Sequence, residues 1–161
     1  MINKPLPQGS DWYGEMNPGE VVLVGAVLVA TLGVGTVAHE FAHAAVLSAL
    51  RVPYEVSWLP DRDATGLLKA GIFGTWAAVT PASIPLDVPA WGLRLAALMP
   101  LTLALPFLLI PAGVVPDPIT GGNPYVIAVV TGWMACAIPS PRDFSWVWHA
   151  NDLVENVATG S

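Results

Sequence analysis

Three apolar stretches dominate the chain, Val21–Leu50, 91–115 and 125–139, and each is measured against the ~20 residues a helix needs to cross a bilayer. The first contains no charged residue from Val21 to Ala38. The second carries only Arg94, and the third is short and leans on its neighbours. Between the first two, Val52 to Pro89 is mixed. Tyr54-Glu55-Val56-Ser57-Trp58 alternates apolar and polar residues, Pro60-Asp61-Arg62-Asp63 supplies turn chemistry, and Ile72-Phe73-Gly74-Thr75-Trp76 is β-prone. A β-hairpin or membrane-dipping segment is therefore expected there, in preference to a fourth span over Leu67–Ala82, which would divide the basic residues between the two sides. After the third stretch, Ser140 is suited to an N-cap and Pro141 to the first helical position; Trp146, Val147 and Trp148 then suggest a helix lying at the membrane surface. The predicted fold is an all-α membrane protein of one domain spanning residues 1–161, with three transmembrane helices.

Composition supports this class. Residues of the hydrophobic set make up 54% and charged residues 11%, with a mean hydropathy of +0.60, outside the range of soluble domains. Arg51, Arg62, Lys69 and Arg94 cluster between the first span and the start of the second, and Arg142 follows the third. The positive-inside rule then predicts a multi-pass protein of the cell membrane with its N-terminus outside and its C-terminus in the cytoplasm. Met1 to Pro18 is polar and contains proline, so no cleavable leader is expected. The net charge of −6, with Lys4 and Lys69 the only lysines, excludes nucleic acid as a partner. Cys136 stands alone and provides neither a disulfide nor a cysteine metal cluster. The oligomeric state is left open.

Against this background His39-Glu40-Phe41-Ala42-His43 is the chemical focus. Ionisable groups at bilayer depth cost roughly 2.5–3.5 kcal/mol each, so they require a compensating partner. On a helix His39 and His43 share a face and can offer two neutral imidazoles to one Zn2+, with Glu40 turned aside by one residue, where it can act on a water. A catalytic zinc site usually takes a third protein ligand. About 18 residues at 1.5 Å each carry the first helix most of the way across before His39, and the third helix returns to that same side, where Asp143 follows it. Asp143 is thus the favoured third ligand; His149 competes, and Asp152 and Glu155 are more remote. Gly33 and Gly35, one turn earlier, suit either a close helix contact or the approach of an extended substrate.

The HExxH helix, followed two helices later by a Pro-rich segment ending in Asp143, resembles the site-2 protease class of intramembrane zinc metalloproteases, and more closely their small zincin-peptidase relatives. The resemblance spans roughly residues 20 to 145. It implies a three-helix core, zinc bound by His39, His43 and Asp143, and Glu40 as the catalytic base. The chain departs from that class at Arg142, where the class has Leu, at Phe144, where it has Gly, and in lacking the Asn that opens the loop. The expected function is a zinc-dependent endopeptidase that cleaves membrane-associated protein substrates within or at the lipid bilayer. The alternative is a non-catalytic membrane protein stapled by zinc, or a small transporter subunit.

Overall fold

A computed structural model describes residues 16–58, 77–114 and 116–159. The helices are α1 (Pro18–Ala49), α2 (Ala90–Leu98), the single turn α3 (Leu105–Leu108), α4 (Pro124–Ala137) and α5 (Pro141–Thr159); a 3-10 segment, Met99–Ala104, joins α2 to α3. Strands β1 (Tyr54–Trp58) and β2 (Ala77–Pro81) pair antiparallel with Val56 opposite Val79. Among the described residues, three stretches are long and apolar enough to cross a membrane, Pro18–Ala49, Ala90–Leu108 and Pro124–Asn156.

Helix α1 starts three residues before the apolar run because its entry is well capped. The Asn17 side chain accepts from the Glu20 N–H while Glu20 accepts from the Asn17 N–H, and Pro18 fills the first position. Its apolar side chains are not confined to one face, with the successive residues Val21, Val22 and Leu23 all exposed. The hydroxyls of Thr31 and Thr36 bond back to the carbonyls of Val27 and Leu32, so neither adds an unsatisfied donor. At the far end Arg51 takes the left-handed conformation, φ 57°. The N–H groups of Val52 and Arg51 then bond the carbonyls of Leu47 and Ser48 in a Schellman closure. Buried Val52 packs with Leu47 in the core cluster, and the chain turns back so that the hairpin lies beside α1.

The second apolar stretch is not one helix. Pro100 has no N–H to continue the α pattern, so the Met99 N–H bonds the Ala96 carbonyl and the chain tightens into the 3-10 segment. Helical structure ends at Leu108 rather than near residue 115, where Pro111 and Gly113 (φ 70°) turn the chain. Helix α4 agrees closely with expectation. The second strand is Ala77–Pro81, just beyond the expected 72–76. The turn at Pro60–Asp63, the expected strand at 72–76 and most of the alternative span at 67–82 lie outside the described residues.

Two packing contacts position the site. Helices α1 and α4 touch through Gly35, where an added Cβ would come within 2.7 Å of Cys136 Sγ, and through Gly132, where it would meet Thr31 at 3.2 Å. Gly35 is therefore a helix-contact residue, whereas Gly33 has open space around it. Helix α5 lies against α2: Ala150 is fully buried, and Arg94 donates to the Val147 carbonyl and to Asn151 Oδ1, each at 3.1 Å. Gly35→Val is expected to force α1 and α4 apart and lower stability by about 1–3 kcal/mol, as overpacking does in close-packed interiors; Gly33→Val should have little effect. Thermal unfolding of the two variants in detergent measures the difference.

Candidate metal centre

The break after α4 builds the site. Pro139 disfavours helical backbone in the residue before it, and Ile138 is extended (ψ 126°). In a continuous helix the Ser140 N–H would bond the Cys136 carbonyl. Here it turns instead to Asp143 Oδ2 at 2.6 Å, while Ser140 Oγ receives the Asp143 N–H at 3.3 Å. This reciprocal cap at the start of α5 fixes the Asp143 carboxylate. It also leaves the Cys136 carbonyl, one of the last of α4, free for another donor. His39 Nδ1 takes that place at 2.7 Å.

His43 repeats the device. Its Nδ1 lies 2.7 Å from the Ala96 carbonyl, whose α-helical donor would have been the N–H that Pro100 lacks. A carbonyl oxygen can only accept, so both histidines carry a proton on Nδ1, and in the neutral ring Nε2 is then the lone pair available to a metal. The two Nε2 atoms are 3.1 Å apart. Asp143 closes the triangle, with Oδ2 3.5 Å from His39 Nε2 and Oδ1 3.3 Å from His43 Nε2. Three acceptors thus converge, all three ligand atoms lie within 4.8 Å of one another, and both histidines are buried. Facing lone pairs repel unless a proton or a metal ion lies between them, and two imidazoles with one carboxylate form a donor set that can hold a metal ion.

Glu40 is turned away from the triangle onto the sheet, where its Oε2 accepts the Val79 N–H at 2.8 Å. The Ala82 N–H bonds the Pro53 carbonyl, so in this register the N–H and C=O of Val79 point away from β1. Glu40 therefore sits at the outer edge of β2. A cleft of about 300 Å³ opens there, lined by Glu40, Val79, Ser140, Arg142 and Asp143 among others.

His39, His43 and Asp143 are brought together from segments distant in sequence. His149 is not. It pairs with Asp152 at 3.2 Å on the exposed side of α5, and Glu155 is exposed further along. Arg142 does not pair with Asp143 and donates to Thr80 Oγ1 at 2.9 Å. The residues that sequence reasoning missed act mostly through their backbones, namely the carbonyls of Ala96 and Cys136 and the Val79 N–H. Pro100 and Pro139 were the available signals for the two carbonyls. A comparison with family models, with curated proteins and with solved structures finds no match to this chain.

Loss of a direct ligand should exceed the 10–100-fold loss in metal affinity typical of removing an outer hydrogen-bond partner. Asp143→Ala is therefore expected to weaken zinc binding by more than about 100-fold, and His149→Ala to leave it unchanged. Competition titrations against a chelating dye on the detergent-purified variants test this, and the reverse pattern would reject the assignment.

Proposed function

We propose that the chain is a zinc-dependent endopeptidase that acts at or within a membrane on membrane-associated proteins. The observation that carries the reading is the convergence of two tautomer-fixed imidazoles and one carboxylate, with Glu40 one helical step aside. Bonds of about 2.0–2.1 Å arranged tetrahedrally put ligand atoms roughly 3.3 Å apart. The two Nε2 atoms are 3.1 Å apart, close to that value, and each faces its own Asp143 oxygen, Oδ1 at 3.3 Å from His43 and Oδ2 at 3.5 Å from His39. A nitrogen-rich set also suits zinc better than calcium or magnesium, which prefer oxygen. Only three protein donors converge among the described residues, which supports an open fourth position. A closed structural site would use four, and a staple has no need of Glu40.

Zinc bound there supplies Lewis acidity toward a water and toward a peptide carbonyl. Glu40 accepts the proton of the attacking water and delivers it to the leaving amine. The Val79 N–H holds the Glu40 carboxylate at the strand edge during both transfers. Ser140 holds the Asp143 carboxylate, and the Cys136 and Ala96 carbonyls hold the two imidazole rings, so neither motion nor tautomer change is needed during the reaction. A helical substrate must unwind before attack, because its peptide groups are bonded internally. The outward carbonyls of Ala77 and Val79 offer such a stretch acceptors to pair with, the Val79 N–H being held by Glu40. In this reading Arg51, Arg94 and Arg142 mark the cytoplasmic side, α5 lies along that surface, and the N-terminus is outside.

The purified protein is expected to carry about one zinc per chain. Glu40→Gln should retain that metal and lose proteolysis by roughly 100-fold to 10,000-fold, the range for removing a general base. Elemental analysis and cleavage of a transmembrane reporter substrate measure the two quantities on the same preparation. Undiminished cleavage by Glu40→Gln would reject Glu40 as the base.

A further inference from the structure

The chain has six Lys and Arg residues in all, and one of them, Arg142, stands next to Asp143 on the wall of the cleft. It lines both that cleft and a smaller cavity bounded by His43, Leu47, Ala96, Asp143 and Trp146. Among the described residues, no other Lys or Arg lines either one. The guanidinium is exposed, its hydrogen bond is to the neutral hydroxyl of Thr80, and no carboxylate among the described residues pairs with it. Four of its five N–H donors are thus free for a ligand. On the other side of Glu40 the surroundings differ. Phe41, Ala44, Tyr54, Val56 and Trp58 form a small apolar pocket that shares only Glu40 and Val79 with the cleft.

We propose that Arg142 is a specificity-determining residue, forming a subsite for the carboxylate of an acidic substrate residue on one side of the scissile bond, with an apolar residue favoured on the other. The inference rests on the peptidase reading. A peptide laid along the outer edge of β2 passes Glu40 with the aromatic pocket to one side and the guanidinium to the other. A carboxylate matches the planar fork of arginine in a bidentate pair, whereas the amide of glutamine or asparagine has a single acceptor oxygen and makes only one of the two bonds, without the charge. Thr80 orients the fork from the strand that holds the peptide, so the subsite and the backbone pairing share one rigid element. The preferred substrates are apolar segments that carry Asp or Glu near the membrane surface, adjoining the position to be cleaved.

The test measures binding rather than turnover. The full-length Glu40→Gln chain, loaded with zinc in detergent, is titrated with fluorescent peptides identical except for Glu, Gln or Lys at one position, scanned along the sequence. At one position the Glu peptide should bind about tenfold tighter than the Gln peptide, as expected for a charge-assisted pair. Adding Arg142→Gln should remove that preference while the Gln peptide binds as before and zinc content is unchanged. Arg142→Glu should favour the Lys peptide. Thr80→Val, which removes the tether and keeps the guanidinium, should retain the preference for Glu. The proposal is overturned if no position prefers Glu, if the preference survives Arg142→Gln, or if Arg142→Gln weakens all peptides equally, as loss of a mere tether would. An acidic preference in a chain whose unmodified form cleaves nothing would leave the subsite standing and remove the peptidase reading instead.

Discussion

Two hydrogen bonds, from His39 Nδ1 to the Cys136 carbonyl and from His43 Nδ1 to the Ala96 carbonyl, underlie everything else in this structure. Each fixes a tautomer, a ring plane and the direction of an Nε2 lone pair. Each also depends on a carbonyl that an unbroken α-helix would have engaged elsewhere. Pro100 removes the i+4 donor of Ala96, whose carbonyl then accepts from both the Met99 N–H and His43, and Pro139 diverts the competing donor for Cys136 toward Asp143. Helix breaks in an apolar protein leave polar backbone groups that must find partners, and here the partners are the imidazoles of the candidate metal centre. The breaks and the site are therefore one construction.

The same logic explains the rigidity of the donor set. Helix α1 contributes two donors and is held against α4 by a contact too close for any side chain larger than hydrogen at Gly35. Asp143 is locked by the cap at the start of α5, which in turn lies against α2 through Ala150 and Arg94. Glu40 is the one acidic group near the centre that is directed elsewhere, onto the edge of β2. On the proposed reading, that division, three groups converging and one held beside them, is what favours a reacting site over a structural clamp.

Much of this was legible in the sequence. Helical spacing put His39 and His43 on one face, and the expected return of the third helix put Asp143 beside them, as the three lie in the structure. Strand β1 was legible from the alternation of Tyr54 to Trp58. Strand β2 was not, because Ala77-Ala78-Val79-Thr80-Pro81 is without alternation and ends in proline. The second apolar stretch read as one span because hydropathy is blind to missing N–H groups; Pro100, Pro106 and Pro111 interrupt hydrogen bonding without lowering the apolar character. The partners of the imidazoles were legible only in part, since Pro100 and Pro139 mark where an i+4 donor is missing or displaced, while only the fold brings those carbonyls to the rings.

The central claim is that one zinc ion is held by two imidazoles and one carboxylate with an open position. X-ray absorption spectroscopy of the zinc-loaded, unmodified protein in detergent tests it most directly. The account predicts four light-atom ligands at about 2.0 Å, with multiple-scattering features of two imidazoles and no sulfur contribution. A sulfur ligand from Cys136, a third imidazole from His149, or a six-coordinate oxygen shell would contradict it.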